Sequence, residues 1–207
     1  VIAAAFLLIC IRLGKSGLFA FIGLSAVLAN LFVTKQISFF SFTITCSDVF
    51  AVQAILSLNI LQEYYGKKEA IASTYTAFFC MVFFVVMSQI HLLYLPSPFD
   101  TTQVAFHTVL SATPRIVGAS ILVFFLVQRL DIVFFRLFHQ LFQGKYFALR
   151  TALSLVFSQL LDTVLFAFIG LYGIVHSILD VILLSLMIKL VVIICSTPVT
   201  AIAKKLI

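Results

Sequence analysis

From Gly17 to Pro198 the sequence is a row of apolar runs, each long enough to cross a bilayer and each set off by short polar punctuation. About 20 helical residues span a hydrocarbon core of roughly 30 Å. Inside that core every backbone N–H and C=O must be satisfied by the protein, so only helices and closed barrels cross it. Barrel strands alternate polar and apolar residues. These runs are continuously apolar and read as helices: Gly17–Val33, Phe39–Leu61, Ala70–Leu95, a segment within Gln103–Val127, Thr151–Tyr172 and Ile174–Pro198. Val1–Ile11 is apolar but short, and reads as part of a further N-terminal helix. Gly66 is expected to end the second helix, Pro96 and Pro98 the third, and Pro198 the sixth. The expected fold is all-α, a polytopic membrane bundle of six spans plus the N-terminal helix. Residues 1–207 are expected to form one integral membrane domain.

Composition excludes the alternatives. Hydrophobic residues make up 63% of the chain and charged residues 10%, against roughly 25% charged in soluble domains. Disorder and a water-soluble globular domain are both excluded. Cys10, Cys46, Cys80 and Cys195 lie far apart, so neither a disulfide framework nor a zinc site is expected.

The net charge of +6 is distributed unevenly. With six alternating spans, Arg12, Lys15, Lys67, Lys68, Arg129, Arg136, Lys145, Arg150, Lys204 and Lys205 fall on one side, and Lys35 on the other. Cytoplasmic loops carry the excess of Lys and Arg, which puts the C-terminus in the cytoplasm. The basic balance is thereby explained by the membrane, and nucleic acid is not an expected partner.

Charges within hydrocarbon cost several kcal/mol and mark functional positions. The candidates are Asp48, Glu63, Arg115, Asp162 and Lys189, with Asn30, Gln53, Asn59, Gln89 and Gln159 as polar companions. A rise of 1.5 Å per residue puts Asp162 roughly 15 Å, Arg115 roughly 18 Å and Lys189 roughly 20 Å from the outer face, near one midplane level. The short connection around Gly170–Val175 makes the last two helices antiparallel neighbours, so Asp162 and Lys189 can pair. Such a group either pins helix packing or lines a polar cavity. Asp48, Asn59 and Glu63 share one helix face. Glu63 serves either that stripe or an interfacial pair with Lys67. Thr113-Pro114-Arg115 marks irregular backbone, as a proline kink or as a helix start capped by Thr113.

Enzymatic motifs are missing. Leu13-Gly14-Lys15-Ser16 looks like the end of a phosphate loop, but Ile9 stands where the first glycine belongs. No nucleophile–base constellation is visible, and His91, His107, His139 and His176 are scattered. No enzyme, cofactor or metal is expected.

Asn59-Ile60-Leu61-Gln62-Glu63-Tyr64-Tyr65-Gly66-Lys67-Lys68-Glu69-Ala70 resembles the hallmark of the queuosine precursor transporter family, also called vitamin-uptake-like transporters. Further matches follow in order: Asn30, Pro114-Arg115-Ile116, Gln128-Arg129-Leu130-Asp131-Ile132, Leu149-Arg150-Thr151, Ser158-Gln159-Leu160-Leu161-Asp162-Thr163, and Lys189 before Thr197-Pro198. One departure is Asn59, where the family pattern has Asp; Asp48, three turns away on the same face, is a candidate replacement carboxylate.

The resemblance implies a membrane importer of 7-deazaguanine bases or queuine for salvage into tRNA modification. It places the chain in the bacterial inner membrane and gives it a central pocket. A guanine-like edge presents two N–H donors that one carboxylate accepts together. Asn30, Asp48, Asn59, Glu63, Arg115, Gln159, Asp162 and Lys189 are the implied substrate-binding residues. The implied partners are the purine-like base, the lipid bilayer and a second copy in a homodimer. The alternative is a substrate-binding subunit of an energy-coupling-factor transporter, with an ATPase module on other chains.

Overall fold

The computed structural model describes residues 2–33, 35–39, 42–111, 114–173 and 178–206. The helices are α1 (Ile2–Arg12), α2 (Gly14–Phe32), α3 (Asp48–Tyr65), α4 (Lys67–Leu92), α5 (Gln103–Leu110), α6 (Pro114–Leu141), α7 (Phe147–Phe166), α8 (Ile178–Ser196) and α9 (Pro198–Leu206). A π-helical turn, Ala167–Leu171, continues α7, and strands β1 (Gln36–Phe39) and β2 (Phe42–Thr45) form an antiparallel hairpin.

Among the described residues, five helices are long and apolar enough to cross a membrane: Gly14–Phe32, Lys67–Leu92, Arg115–Leu141, Phe147–Leu171 and Ile178–Thr200. The protein is a polytopic helical membrane protein. The expected second span, Phe39–Leu61, differs from the structure. Its first part is strand, and helix begins only at Asp48. The hairpin signal was present in the alternation Gln36-Ile37-Ser38-Phe39 and Phe42-Thr43-Ile44-Thr45, rich in β-branched residues.

α3 falls short of the apolarity of the five because it carries Asp48, Gln53, Asn59, Gln62 and Glu63. Every residue from Val52 to Gln62 is nevertheless buried. A helix buried on all sides has no lipid-facing stripe; its polar groups face neighbouring helices instead. α3 packs against α1, α2, α4, α6, α7 and α8, which makes it the hub of the bundle. One core cluster runs from Leu7 on α1 to Ala203 on α9.

The fourth run breaks in two. α5 ends at Leu110, and Gln89 Nε2 of α4 donates to the Leu110 carbonyl at 3.0 Å. α6 then starts at Pro114, where the missing N–H costs nothing. A new helix, rather than a kinked one, is the outcome; the expected Thr113 cap lies outside the described residues, as do Val1, Ile174 and His176. α6 continues to Leu141, so Arg129 and Arg136 lie within a helix and not in a loop. Pro198 opens α9 as its first residue. Gly66 does end α3: its φ of +89° suits a residue without Cβ, and its N–H bonds to the Gln62 carbonyl at 3.0 Å.

The candidate functional site along the α3–α7 seam

α3 and α7 lie side by side, and buried polar groups occur at three levels along them. At the hairpin end, Asp48 sits in the first turn of α3. Lys189 of α8 donates to Asp162 of α7 at 2.6 Å and to Thr163 Oγ1 at 3.0 Å. The same Nζ lies 3.8 Å from Asp48, which also accepts from Ser185 at 3.3 Å. Lys189 is 3% exposed, so its charge depends on these two carboxylates. The expected Asp162–Lys189 pair is therefore present, and Asp48 makes it a triad. Two carboxylates share one ammonium. Asp162 is the more open of the two, with its side chain 20% exposed.

One turn down α7, Gln159 is buried, and neither of its amide atoms has a partner among the described residues. Below it lies the second level. Asp131 of α6 is fully buried and accepts through Oδ1 from Ser154 at 2.6 Å and Ser158 at 2.7 Å, both on α7. The Asn59 amide of α3 lies beside this carboxylate, and among the described residues neither of its polar atoms is hydrogen-bonded.

At the third level, Arg150 of α7 forms a bidentate pair with Glu63 of α3, at 2.8 and 3.1 Å. Its remaining donors bind the carbonyls of Lys145 at 2.9 Å and Gly144 at 3.1 Å, and its guanidinium lies over the rings of Phe135 and Phe147. Lys15 pairs with Glu69 at 3.3 Å nearby in the chain. Glu63 and Glu69 lie three residues before and after Gly66, so both pairs flank the turn between α3 and α4.

Several site expectations need relocation. Glu63 pairs with Arg150 and not with Lys67, because α3 ends at Tyr65 and the chain turns at Gly66 before Lys67. Arg115 is not level with Asp162 and Lys189. It starts α6, its side chain is exposed, and its Nε donates to the Ile169 carbonyl at 3.0 Å. Ile169 lies seven residues beyond Asp162, roughly 10 Å along the helix axis. The π-turn supplies that carbonyl, since i→i+5 bonding disturbs the regular ladder. Asn30 stands apart, bonding to the Ala26 carbonyl at 3.4 Å and lining a 30 Å³ cleft with Ser88, Gln89 and Leu110. Asp48 and Asn59 share a helix face and lie at different levels: Asp48 faces Lys189, and Asn59 lies beside Asp131.

Asp131, Ser154, Ser158 and Arg150, which make buried polar contacts along this seam, were not among the expected site residues. A signal existed. Arg150, Ser154, Ser158 and Asp162 recur every four residues, which is a polar stripe winding along one helix.

Comparison with other proteins finds a family and a relative described as transporters. Residues 45–203 match the family described as "Putative vitamin uptake transporter". The chain is 32% identical over 198 residues to the "Probable queuosine precursor transporter" of Bacillus subtilis (strain 168), a match covering 94% of this chain and 86% of that protein. No solved structure matches it. With the family model covering most of the chain and the relative nearly all of it, the protein belongs to the vitamin uptake transporter family that includes queuosine precursor transporters.

Proposed function

We propose that the protein imports a queuosine precursor, a 7-deazaguanine base or queuine, and holds it at the Asp48–Lys189–Asp162 triad. The triad carries this reading. Two carboxylates facing a single ammonium leave one acceptor in surplus, and Asp162 keeps part of its surface open. A guanine-like edge offers an adjacent N1–H and N–H2 to such a carboxylate. Gln159, one turn away and unpartnered, can donate to a carbonyl or accept from a ring N–H. The relative's name supports the substrate class. Asn30, Asn59, Glu63 and Arg115 lie outside this cluster and are not assigned to the first contact with the base.

In this reading α3 is the sixth span, polar because it is enclosed by the others. The cation-rich end faces the cytoplasm of a bacterial inner membrane, with the C-terminus inside. The role is transport and not catalysis.

The test is uptake in cells that cannot make queuosine, fed each precursor in turn, with tRNA modification as the readout. The wild-type chain should restore modification. Asp162→Ala should abolish it at unchanged membrane abundance. Normal modification with Asp162→Ala would refute the assignment.

A further inference from the structure

Asp131 is the buried acid that the triad does not use. It is fully buried inside a membrane helix, and among the described residues no Lys, Arg or His lies within ion-pair distance of it. Two cations are close in the chain. Arg129, two residues earlier on α6, lies over the Tyr75 ring of α4. Arg150, one turn before Ser154 on α7, is tied to Glu63 of α3. An unpaired carboxylate in low dielectric is strongly disfavoured, so such a group is neutralised by taking up a cation. Ser154 and Ser158 both donate to Oδ1, which leaves Oδ2 without a partner among the described residues.

Among the described residues, the surroundings are neutral polar groups with free capacity. Asn59 is fully buried beside the carboxylate, and neither its oxygen nor its nitrogen is bonded. Thr151, on the Ser154–Ser158 face of α7, has an unpartnered buried hydroxyl. Gln128, one turn before Asp131, has an unpartnered buried amide. Buried polar groups are rarely left unsatisfied, and a cluster of them calls for an occupant. Here the free groups include a carboxylate oxygen, two amide oxygens and a hydroxyl, a hard-oxygen set with one negative charge. That set suits a monovalent cation better than a divalent one, which collects more carboxylates.

We propose that Asp131, with Asn59, Ser154 and Ser158, is the seat of a monovalent cation, taken up as a proton on Oδ2 or as Na⁺ between Oδ2 and the neutral oxygens. Resting on the importer reading, the site couples that cation to the base. Ser158 is one turn from Asp162 on α7, so occupancy at Asp131 bears directly on the triad. In the protonated form the acid donates toward the Asn59 oxygen. In the ionised form it accepts from the Asn59 amide nitrogen, so a rotation of this amide serves both states.

Two measurements on the full chain separate the cation site from the importer reading. The first is infrared difference spectroscopy on the purified protein, titrated with pH at zero Na⁺ and then with NaCl against choline chloride. Wild type should show a carboxylic-acid band that is lost on raising pH, or on adding Na⁺ at fixed pH, and Asp131→Asn should lack it. A band present in neither titration, or unchanged in Asp131→Asn, would overturn the site. If Asp131→Asn does not fold, Ser154→Ala should move the same transition to higher pH or higher Na⁺, because it removes a donor to the anion; an unmoved transition would again overturn it.

The second measurement uses proteoliposomes and labelled 7-deazaguanine base. Wild type should accumulate base under an inward proton or Na⁺ gradient, and the gradient that works names the cation. One proton per base in a one-unit pH gradient supports up to about tenfold accumulation. Asp131→Asn should retain base exchange without a gradient and lose accumulation. Accumulation by Asp131→Asn equal to wild type would overturn the coupling role. Wild type that neither exchanges nor accumulates any precursor would instead defeat the importer reading, with the infrared result still deciding the site.

Discussion

Removing the acid of the Glu63–Arg150 pair should cost more than removing the base. The Arg150 side chain is fully buried, whereas Glu63 is 21% exposed. Glu63→Ala strands a buried guanidinium on two carbonyls, those of Lys145 and Gly144. Breaking a buried pair this way costs about 3–5 kcal/mol, and the partial exposure of Glu63 puts the expected loss near the lower end, about 3. Arg150→Met removes the charge itself. Met fills the space between Phe135 and Phe147, and Glu63 hydrates through its open edge. The two carbonyls lose a partner at about 1 kcal/mol each, for a total of about 2. At about 2–4 °C per kcal/mol for a chain of this size, Glu63→Ala should melt about 6–12 °C below wild type and Arg150→Met about 4–8 °C. The double variant should fall well short of the sum of the singles, since each removes the same contact. Size-exclusion recovery of detergent-solubilised protein after heating measures all three. Arg150→Met less stable than Glu63→Ala, or strictly additive losses, would refute the claim that an uncompensated buried cation dominates.

Two further perturbations follow from the same geometry. Lys189→Met leaves Asp48 and Asp162 facing each other without their ammonium, so adding Asp162→Asn should recover part of the lost thermal stability; a further loss would contradict the shared-cation reading. Gly170→Leu pushes a Cβ to 3.1 Å from the Phe166 ring and 3.3 Å from Ala119 Cβ on α6. Overpacking there should cost about 1–3 kcal/mol and separate the π-turn from Arg115, read as lower melting temperature and faster protease nicking near residue 170.

The fold class was legible early because a bilayer imposes a length and an apolarity that leave few solutions. The α7–α8 pair was legible for a related reason. A short connection forces two helices to run antiparallel, so Asp162 and Lys189 had a geometric reason to meet. The hairpin at Gln36–Thr45 was hidden by its apolar continuation into α3, although its alternation was readable in retrospect. Asp131 was hidden differently. It follows a run of apolar residues and stands near Arg129 and Arg136, which made the stretch look like a loop.

Along a single helix, composition and spacing establish length, polar stripes and which residues share a face. They established here that charge is scarce, that most of it gathers at one end, and that Asp48, Asn59 and Glu63 share one face of α3; the polar stripe of α7 was equally readable. Which helix meets that stripe is a matter of packing. Glu63 had Lys67 four residues away and chose Arg150 across the bundle, because Gly66 turns the chain and α7 presents a guanidinium held by two carbonyls. Asp48 and Asn59 share an azimuth on α3, yet one meets α8 and the other α6, because neighbouring helices cross α3 at different heights. Azimuth follows from the period of the helix. Partnership follows from how the helices cross, and that emerges only when they pack together.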